Sequence, residues 1–244
     1  MKDCMMTVAE NIPLTKEVYR MVLAGDVSAF TAPGQFLNLK LAGQFLRRPI
    51  SLCDLGEDSA TIIYKVVGKG TAQMASMLPG EKLSVLTGLG NGYDLADAGE
   101  APLLIGGGVG VPPLYLLAKR LRAQGKAVHA VLGFNKASEV FYEAEFRALG
   151  CAVTVATADG SYGVRGFVTD ALPESYSYYY CCGPEPMLRA VYRTAKGSGQ
   201  LSFEKRMGCG FGACMGCSCK TITGYKRICK EGPVLEKEEI LWED

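Results

Sequence analysis

The first hundred residues contain short runs in which apolar and polar side chains alternate. Alternation with a period of two is typical of strands that bury one face. Pro-Gly pairs at 33–34 and 79–80 mark turns between the runs. Several short strands at this spacing predict an antiparallel β-barrel over residues 1–98. The runs that we expect to form strands are 18–23, 35–41, 61–67 and 82–86.

From about residue 101 the pattern changes to apolar strands that alternate with amphipathic helices. This alternation predicts a parallel sheet with helices on both faces, over residues 99–200. Pro112 and Pro113 suit the first turn of a helix, and Gly125 suits its end. The expected strands are 103–105, 128–132, 152–156 and 178–182, and the expected helices are 114–124, 168–172, 186–195 and one that starts at 139 with Ser138 as its N-cap. The fold class is therefore multidomain, a β-barrel followed by an α/β domain.

A small cysteine-rich segment, residues 201–244, follows the α/β pattern. Cys209, Cys214 and Cys217 have the x4 and x2 spacings of plant-type [2Fe-2S] ligands, and Cys229 completes a set of four. Structural zinc sites also use four thiolates, but they usually pair two separated C-x2-C knuckles. Disulfides are disfavoured in a chain without a secretion signal. Cys219 is then a spare that can compete with Cys217 for one ligand position.

Composition and charge narrow the class of function. Apolar residues make up 48% of the chain and charged residues 21%, as in packed globular proteins. The net charge of +1 gives no concentrated positive face for nucleic acid. The uncharged run 101–118 contains glycines and two prolines, which would leave backbone groups unsatisfied in lipid. With no signal peptide at the start, we expect a cytoplasmic protein that binds neither nucleic acid nor a membrane.

Four loops follow the predicted strands 103–105, 128–132, 152–156 and 178–182. Ligands of open α/β sheets bind beyond the carboxyl ends of the strands, so these loops should line one crevice. The first has glycines at 106, 107, 108 and 110 and can admit a pyrophosphate to backbone amides, although Val111 replaces the third glycine of the usual fingerprint. No acid ends the second strand to hold a ribose. Lys136 is the candidate for a 2′-phosphate and Asn135 for a plain ribose hydroxyl, so NAD is favoured over NADP.

Three motifs, in this order along the chain, resemble the ferredoxin-reductase superfamily, although each alone has a structural explanation. Arg48-Pro49-Ile50-Ser51 is similar to the flavin signature, in which the arginine pairs with the FAD pyrophosphate and the serine lies beside the isoalloxazine. The segment 68–71 is similar to a second phosphate contact, and 182–187 to the motif against the nicotinamide. The resemblance implies Cys182 and Ser51 as catalytic residues. It implies cofactor contacts at Arg48, Pro49, Ile50, Ser51, Ile63, Tyr64, Lys65, Gly70, Thr71, Gly106, Gly107, Gly108, Gly110, Asp159, Cys182, Gly183 and Met187.

Further segments resemble one family within that superfamily, the electron-transfer subunits of NAD-linked bacterial dihydroorotate dehydrogenases. They are 47–51, 89–92, 105–113, 159–163 and 229–234, and the likeness covers essentially the whole chain. It implies FAD, a [2Fe-2S] cluster and NAD, with the flavin converting between two-electron and one-electron carriers. It also implies an FMN-containing catalytic subunit as partner, in a 2+2 heterotetramer of pyrimidine biosynthesis. Electrons would run from dihydroorotate through FMN, cluster and FAD to NAD.

Two alternative functions stay open. The first is the small subunit of an NADP-linked ferredoxin oxidoreductase, a sulfide dehydrogenase or a sulfite reductase, which share this architecture. The second is a zinc-stabilised binding module with a degenerate nucleotide fold, which predicts a colourless protein. Nothing in the sequence indicates a pyrimidine site, since the single histidine, His129, lies in a predicted strand and is expected in the core.

Overall fold

A closed barrel of six antiparallel strands forms the first part of the computed structural model, which describes residues 1–242. The spatial order is β1-β2-β5-β4-β3-β6, and β6 pairs with β1 to close the barrel. The expected antiparallel barrel is therefore confirmed. Its strands are β1 (Lys2–Pro13), β2 (Val18–Ala24), β3 (Phe36–Leu39), β4 (Arg48–Leu55), β5 (Ser59–Lys65) and β6 (Lys82–Leu89), and the short helix α1 (Lys69–Ala75) follows β5.

The first strand, β1, is missing from the strands that alternation predicts. Only Met6 and Val8 among its 12 residues are buried, so the sequence lacks the regular apolar period of a core strand. Pairing with β2 on one side and β6 on the other holds β1 in the barrel. The backbone ladder, rather than side-chain burial, thus defines this strand.

The second part is a seven-stranded sheet in the order β10-β9-β8-β7-β11-β12-β15. The first six strands in this order are parallel, and β15 is antiparallel to β12. A two-stranded hairpin, β13-β14, lies outside the sheet. The strands are β7 (Leu103–Gly107), β8 (His129–Phe134), β9 (Ala152–Thr157), β10 (Val164–Arg165), β11 (Tyr179–Cys182), β12 (Gly199–Ser202), β13 (Ser218–Thr221), β14 (Gly224–Arg227) and β15 (Val234–Glu236).

Two expected helices take a different form in the structure. Instead of a helix from residue 139, Ala137–Glu139 forms one 3-10 turn and the helix starts at Glu143. Phe141 and Tyr142 turn inward and are buried, and Tyr142 has a left-handed φ of 66°, which breaks the helical path. The expected helix at 168–172 is a 3-10 turn, Val168–Ala171. The α-helices of this part are α2 (Pro113–Ala123), α3 (Glu143–Ala148) and α4 (Glu185–Thr194).

The cysteine-rich segment is fastened to both other parts of the fold. Its β15 pairs with β12, and Ser202 lies opposite Val234 in that ladder. Cys217 and Cys229 share one buried apolar cluster with Phe36 of the barrel. The segment between Ser202 and Val234 is therefore an excursion from the edge of the sheet that packs on the outside of the barrel. None of the helices within residues 1–242 has the length and apolar character needed to cross a membrane.

Candidate redox site

The four predicted ligand cysteines lie as two pairs. Cys214 N donates to Cys209 Sγ at 3.4 Å, and Cys209 N donates to Cys214 Sγ at 3.5 Å. Cys229 N donates to Cys217 Sγ at 3.4 Å, and these thiols are also in contact. Across residues 1–242, no group of three or more His, Cys, Asp or Glu side chains is arranged to hold a single metal ion. Two pairs of thiolates fit the two irons of a [2Fe-2S] cluster, whereas a zinc ion needs one convergent set.

The two cysteine pairs differ in exposure, and one member of each pair has a shifted pKa. Cys217 and Cys229 are buried, whereas Cys214 is exposed. Although burial opposes it, N–H donors from Phe211, Cys214 and Ala213 lower the pKa of Cys209 to about 6. Burial and the adjacent Cys217 thiol raise the pKa of Cys229 to about 12. A bound metal holds its thiol ligands deprotonated, so all four cysteines would be thiolates in the cluster.

Arg48 and Gly70 form a cradle that fits a phosphate group. Arg48 Nη2 donates to Gln44 Oε1 at 2.8 Å, which orients the guanidinium. The guanidinium lies against Gly70 so closely that a Cβ there would be 2.1 Å from Arg48 Nε. A fixed arginine fork beside an unobstructed backbone is suited to a pyrophosphate. These two predicted FAD contacts are therefore brought together, and the residues present fit the cofactor.

The other predicted FAD contacts divide between two roles. The Thr71 hydroxyl accepts hydrogen bonds from Val67 N and Gly68 N, so it shapes the phosphate loop from within. Tyr64 Oη donates to Asn11 Oδ1 at 2.9 Å, and the ring is buried in the barrel core. Tyr64 can therefore meet a cofactor only through its backbone. Predicted contacts on the strands are Pro49, Ile50 and Ser51 of β4 and Ile63 and Lys65 of β5.

A cleft of about 960 Å³ lies between the barrel and the carboxyl ends of the parallel strands. One wall is Lys65 with the loop 15–18 of the barrel, and Lys65 pairs with Glu17 at 3.1 Å. The opposite wall is made by the loops after β7, β8 and β11, as the sheet topology predicts. Of the predicted site residues, the cleft brings together Lys65, Gly107, Gly108, Gly110, Gly183 and Met187.

The loops after β7 and β11 touch each other at the floor of the cleft. Gly110 lies against the Cys182 backbone, where a Cβ would come within 2.3 Å of the Cys182 carbonyl oxygen. Met187 packs on both Gly107 and Gly183. The predicted pyrophosphate loop and the predicted nicotinamide motif therefore form one continuous surface.

Cys182 itself is buried behind that surface. Its thiol contacts the Ser202 and Tyr93 hydroxyls, and burial raises its pKa to about 12. A neutral, buried thiol can pack beside a nicotinamide, but it is not a nucleophile at neutral pH. The Ser51 hydroxyl on β4 has no hydrogen-bond partner among the described residues and is free to meet a bound ring.

Glu139 lines the cleft and was not among the residues that the sequence analysis predicted there. The cleft wall at the end of β8 contains Asn135, Lys136 and Glu139 together. Asn135 Nδ2 donates to Glu139 Oε2 at 3.0 Å, and Lys136 Nζ lies 3.8 Å from Glu139 Oε1. No acid ends β8 itself, but the 3-10 turn Ala137–Glu139 brings the Glu139 carboxylate to the cleft wall beside the end of that strand. In the sequence this acid stands five residues after the end of β8, and only the 3-10 turn brings it to the cleft wall.

Of two further acids, Glu204 lines the cleft and Asp159 does not. Asp159, a predicted cofactor contact, is outside the cleft lining and instead accepts hydrogen bonds from Ser161 N and Oγ, which lower its pKa. Glu204, which follows β12, was not predicted and does line the cleft. It is open to the water of the cleft, while the surrounding walls raise its pKa by desolvation. His129 lies on β8 and is not part of the cleft lining. Its Nε2 is 2.9 Å from Thr154 Oγ1, within hydrogen-bond distance.

Two family models match the chain. The iron-sulfur cluster binding domain of dihydroorotate dehydrogenase B matches residues 204–241. The oxidoreductase NAD-binding domain matches residues 104–193. Each match covers the part of the fold in which the structure gathers the corresponding site, the thiol pairs in the first and the glycine loop in the second.

Full-length relatives share the whole architecture. The dihydroorotate dehydrogenase B (NAD(+)) electron transfer subunit of Geobacillus sp. (strain WCH70) is 44% identical, over 99% of each chain. The subunit of the same name from Bacillus caldolyticus is 46% identical, over 97% of each. A solved structure of an NADH-dependent reduced ferredoxin-NADP oxidoreductase, described in terms of flavin-based electron bifurcation, is 27% identical with a TM-score of 0.89. It covers 98% of this chain and 90% of its own.

The likeness to the dihydroorotate dehydrogenase relatives covers the barrel, the sheet and the cysteine-rich segment at 44–46% identity. This identity exceeds the 27% shared with the ferredoxin-NADP oxidoreductase, and together with the matching iron-sulfur domain model it supports the dehydrogenase over the ferredoxin oxidoreductase alternative. The chain belongs to the family of electron transfer subunits of dihydroorotate dehydrogenase B (NAD(+)).

Proposed function

We propose that this chain passes electrons between an FMN-bearing dihydroorotate dehydrogenase catalytic subunit and NAD, by way of a [2Fe-2S] cluster and FAD. The two subunits form a 2+2 heterotetramer in the cytoplasm. The observation that carries the proposal is the placement of the thiol pairs. Cys217 and Cys229 share a buried cluster with Phe36 of β3, and the Cys209 backbone is bonded to Asn38 of the same strand. β3 is the neighbour of the strand that starts at Arg48.

Within this arrangement the chain's own residues have distinct roles. Arg48 and the Gly70 backbone bind the FAD pyrophosphate, and Ser51 orients the flavin ring. The glycine loop at 106–110 binds the NAD pyrophosphate, and the Cys182–Met187 surface supports the nicotinamide. Asp159, outside the cleft, supports the turn at the end of β9. FAD supplies the conversion between the hydride of a nicotinamide and the single electrons of a cluster.

The test of the function uses the native complex. Copurified with its catalytic subunit, the chain should reduce NAD when dihydroorotate is added, and NADP much more slowly. The purified complex should contain FAD, FMN, iron and labile sulfide, with equal amounts of the two polypeptides. A complex with reducible flavin and cluster but no dihydroorotate activity would contradict the proposal. It would favour the ferredoxin oxidoreductase alternative, since the solved ferredoxin-NADP oxidoreductase structure resembles this chain with a TM-score of 0.89.

Glu139 gives the NAD preference a structural basis. The nicotinamide motif follows β11 and the pyrophosphate loop follows β7, so the adenosine ribose lies beyond them at the end of β8. Glu139 is the carboxylate at that position. An acid there accepts hydrogen bonds from ribose hydroxyls and repels a 2′-phosphate. It also offsets the positive charge of Lys136, the one cation that the sequence offered for NADP.

Replacing Glu139 by glutamine should weaken discrimination between NAD and NADP. Losing a hydrogen bond to a charged group predicts a rise of about tenfold or more in KM for NADH. NADPH should improve, because Lys136 is then released to bind the 2′-phosphate. The measurement is kcat/KM of both reduced nucleotides with an artificial electron acceptor.

The control for Glu139→Gln is Glu100→Gln. Glu100 also pairs with a lysine, Lys126 at 2.8 Å, but it precedes β7, at the opposite end of the sheet from the cleft. That variant should keep the wild-type preference for NADH. An unchanged ratio of NADH to NADPH efficiency in Glu139→Gln would show that Glu139 does not select the nucleotide.

A further inference from the structure

Asn38 lies on the outward face of β3, where a polar side chain is nevertheless buried. Its neighbours Leu37 and Leu39 point into the barrel core. Side chains alternate along a strand, so Phe36 and Asn38 point the other way. Phe36 joins the buried cluster that contains Cys217 and Cys229, and Asn38 is 1% exposed. The cysteine-rich segment therefore covers this row.

The side-chain amide of Asn38 is bonded to the backbone of a cluster ligand. Asn38 Nδ2 donates to the carbonyl oxygen of Cys209 at 3.2 Å. The next residue, Gly210, has φ of +79°, and a Cβ there would lie 2.3 Å from Asn38 Nδ2. Only glycine lets the loop approach so closely. The cluster loop is thus seated directly on Asn38.

The register of β3 with β4 places Asn38 beside the flavin motif. Asn38 lies opposite Pro49, and Phe36 lies opposite Ser51. Directly opposed residues of an antiparallel pair share one face of the sheet. Pro49 and Ser51 therefore stand on the same outward face as Asn38, one strand away from it. A single side chain separates the flavin motif from the Cys209 backbone.

The second polar atom of Asn38 has no partner within the protein. Asn38 Oδ1 is buried, and among residues 1–242 no group donates a hydrogen bond to it. Buried acceptors in folded proteins are nearly always satisfied. An apolar residue of this size would have packed the loop without leaving such an atom. The unpaired oxygen therefore indicates a hydrogen-bond donor on a bound group. Because the flavin motif lies on the adjacent strand, we infer that this group is the flavin.

We propose that Asn38 is a positioning residue that joins the two redox sites of this chain. Its Nδ2 holds the Cys209 backbone, and its Oδ1 accepts a hydrogen bond from the flavin. Asn38 thereby fixes the cluster loop at a set distance from the flavin strand. The proposal rests on the proposed function, because it needs both cofactors to be present.

The test compares Asn38→Ala with Asn38→Leu in the FAD- and cluster-loaded chain. Leucine keeps the branched shape and the number of heavy atoms of the side chain, so unlike alanine it leaves no cavity. NADH delivers two electrons as a hydride, of which one passes to the cluster and one stays on the flavin. A displacement of about 1 Å between reacting groups can cost up to about a hundredfold in rate. Cluster reduction after mixing with NADH should therefore slow by about tenfold or more in both variants.

Two further readouts separate positioning from a general structural role. Hydrogen exchange of the backbone amides at 209–214 should become faster in both variants, since the loop loses its anchor. The flavin absorption band should shift, since the ring loses an acceptor. Iron and FAD contents are determined on the same samples, and the rate of cluster reduction is expressed per loaded chain, so that cofactor loss is not counted as slower transfer.

The matched control is Asn91→Ala. Asn91 Nδ2 donates to the Val234 carbonyl at 2.8 Å and Asn91 Oδ1 accepts from Val234 N, so it also ties the barrel side to the cysteine-rich segment. It does not touch the cluster loop, and cluster reduction should remain at the wild-type rate.

Three results would overturn the proposal. The first is wild-type cluster reduction in Asn38→Leu, with or without faster exchange of the loop. The second is an equal slowing in Asn91→Ala, which would reduce Asn38 to one of several packing contacts. The third is a wild-type chain that holds FAD and cluster but passes no electron between them, which would refute the proposed function along with the role of Asn38.

Discussion

Cys214→Ser should remove the [2Fe-2S] cluster while the protein keeps FAD and still binds NADH. Cys214 is half of the Cys209–Cys214 pair, so its loss leaves one iron with a single protein thiolate. The FAD cradle at Arg48 and Gly70 contains none of these cysteines. Labile sulfide and the cluster's paramagnetic signal after reduction should fall to background. Dihydroorotate-dependent NAD reduction by the complex should be lost with them.

Cys219→Ser is the control for this prediction. Cys219 lies on β13 near Cys217, outside the two pairs, so its replacement should leave the iron content unchanged. A full cluster in Cys214→Ser would contradict the assignment of ligands. If only the double variant Cys214→Ser/Cys219→Ser then lost the cluster, Cys219 would be a substitute ligand. Joint loss of FAD and cluster in Cys214→Ser would mean that the cysteine-rich segment and the barrel fold as one unit.

Arg48→Ala should produce a protein that loses FAD on dialysis but keeps its cluster. Charge-assisted hydrogen bonds contribute about 1.5–3 kcal/mol each, so removing one predicts a fall in FAD affinity of about ten- to a hundredfold. The cavity left beside Gly70 adds no new donor for the phosphate. The measurement is the dissociation constant of FAD by flavin fluorescence, with iron content determined on the same sample.

Arg120→Ala is the matched control for Arg48→Ala. Arg120 Nη1 donates to the Thr31 carbonyl at 2.9 Å, so its guanidinium is also held by a hydrogen bond, but it is not part of the Arg48–Gly70 cradle. Its replacement should lower stability without changing FAD affinity. Equal FAD retention in Arg48→Ala and wild type would remove Arg48 from the phosphate site.

The parts of the fold that follow from local pattern could be predicted from the sequence. The parallel strands β7, β8, β9 and β11 carry runs of apolar residues, and each appears within a few residues of the expected range. β1 could not be predicted, because only two of its residues are buried and its pairing partner β6 lies about eighty residues away. The start of α3 depends on where Phe141 and Tyr142 find space in the core, which no local pattern encodes.

The candidate site divides in the same way. The ligands can be predicted from the cysteine spacing because Cys209, Cys214 and Cys217 lie in one loop and Cys229 follows only twelve residues later. Glu139 and Asn38 carry no such signal, since their roles depend on a 3-10 turn in one case and on a strand register in the other. The cofactor contact predicted at Asp159 stays a prediction, and sequence alone could not show that this carboxylate accepts hydrogen bonds from Ser161 of its own loop.

The pairing of Ser202 with Val234 has a consequence for how the cluster is acquired. The loop that carries the ligands is closed at its base by β12 and β15, and Phe203 N adds a hydrogen bond to the Pro233 carbonyl at 2.9 Å. Closing a loop lowers the conformational entropy of everything within it. Folding of the sheet thus supplies part of the loss of conformational entropy that bringing four thiolates together requires, before iron binds. Iron affinity and the integrity of the nucleotide-binding sheet are thermodynamically linked, so weakening one loosens the other.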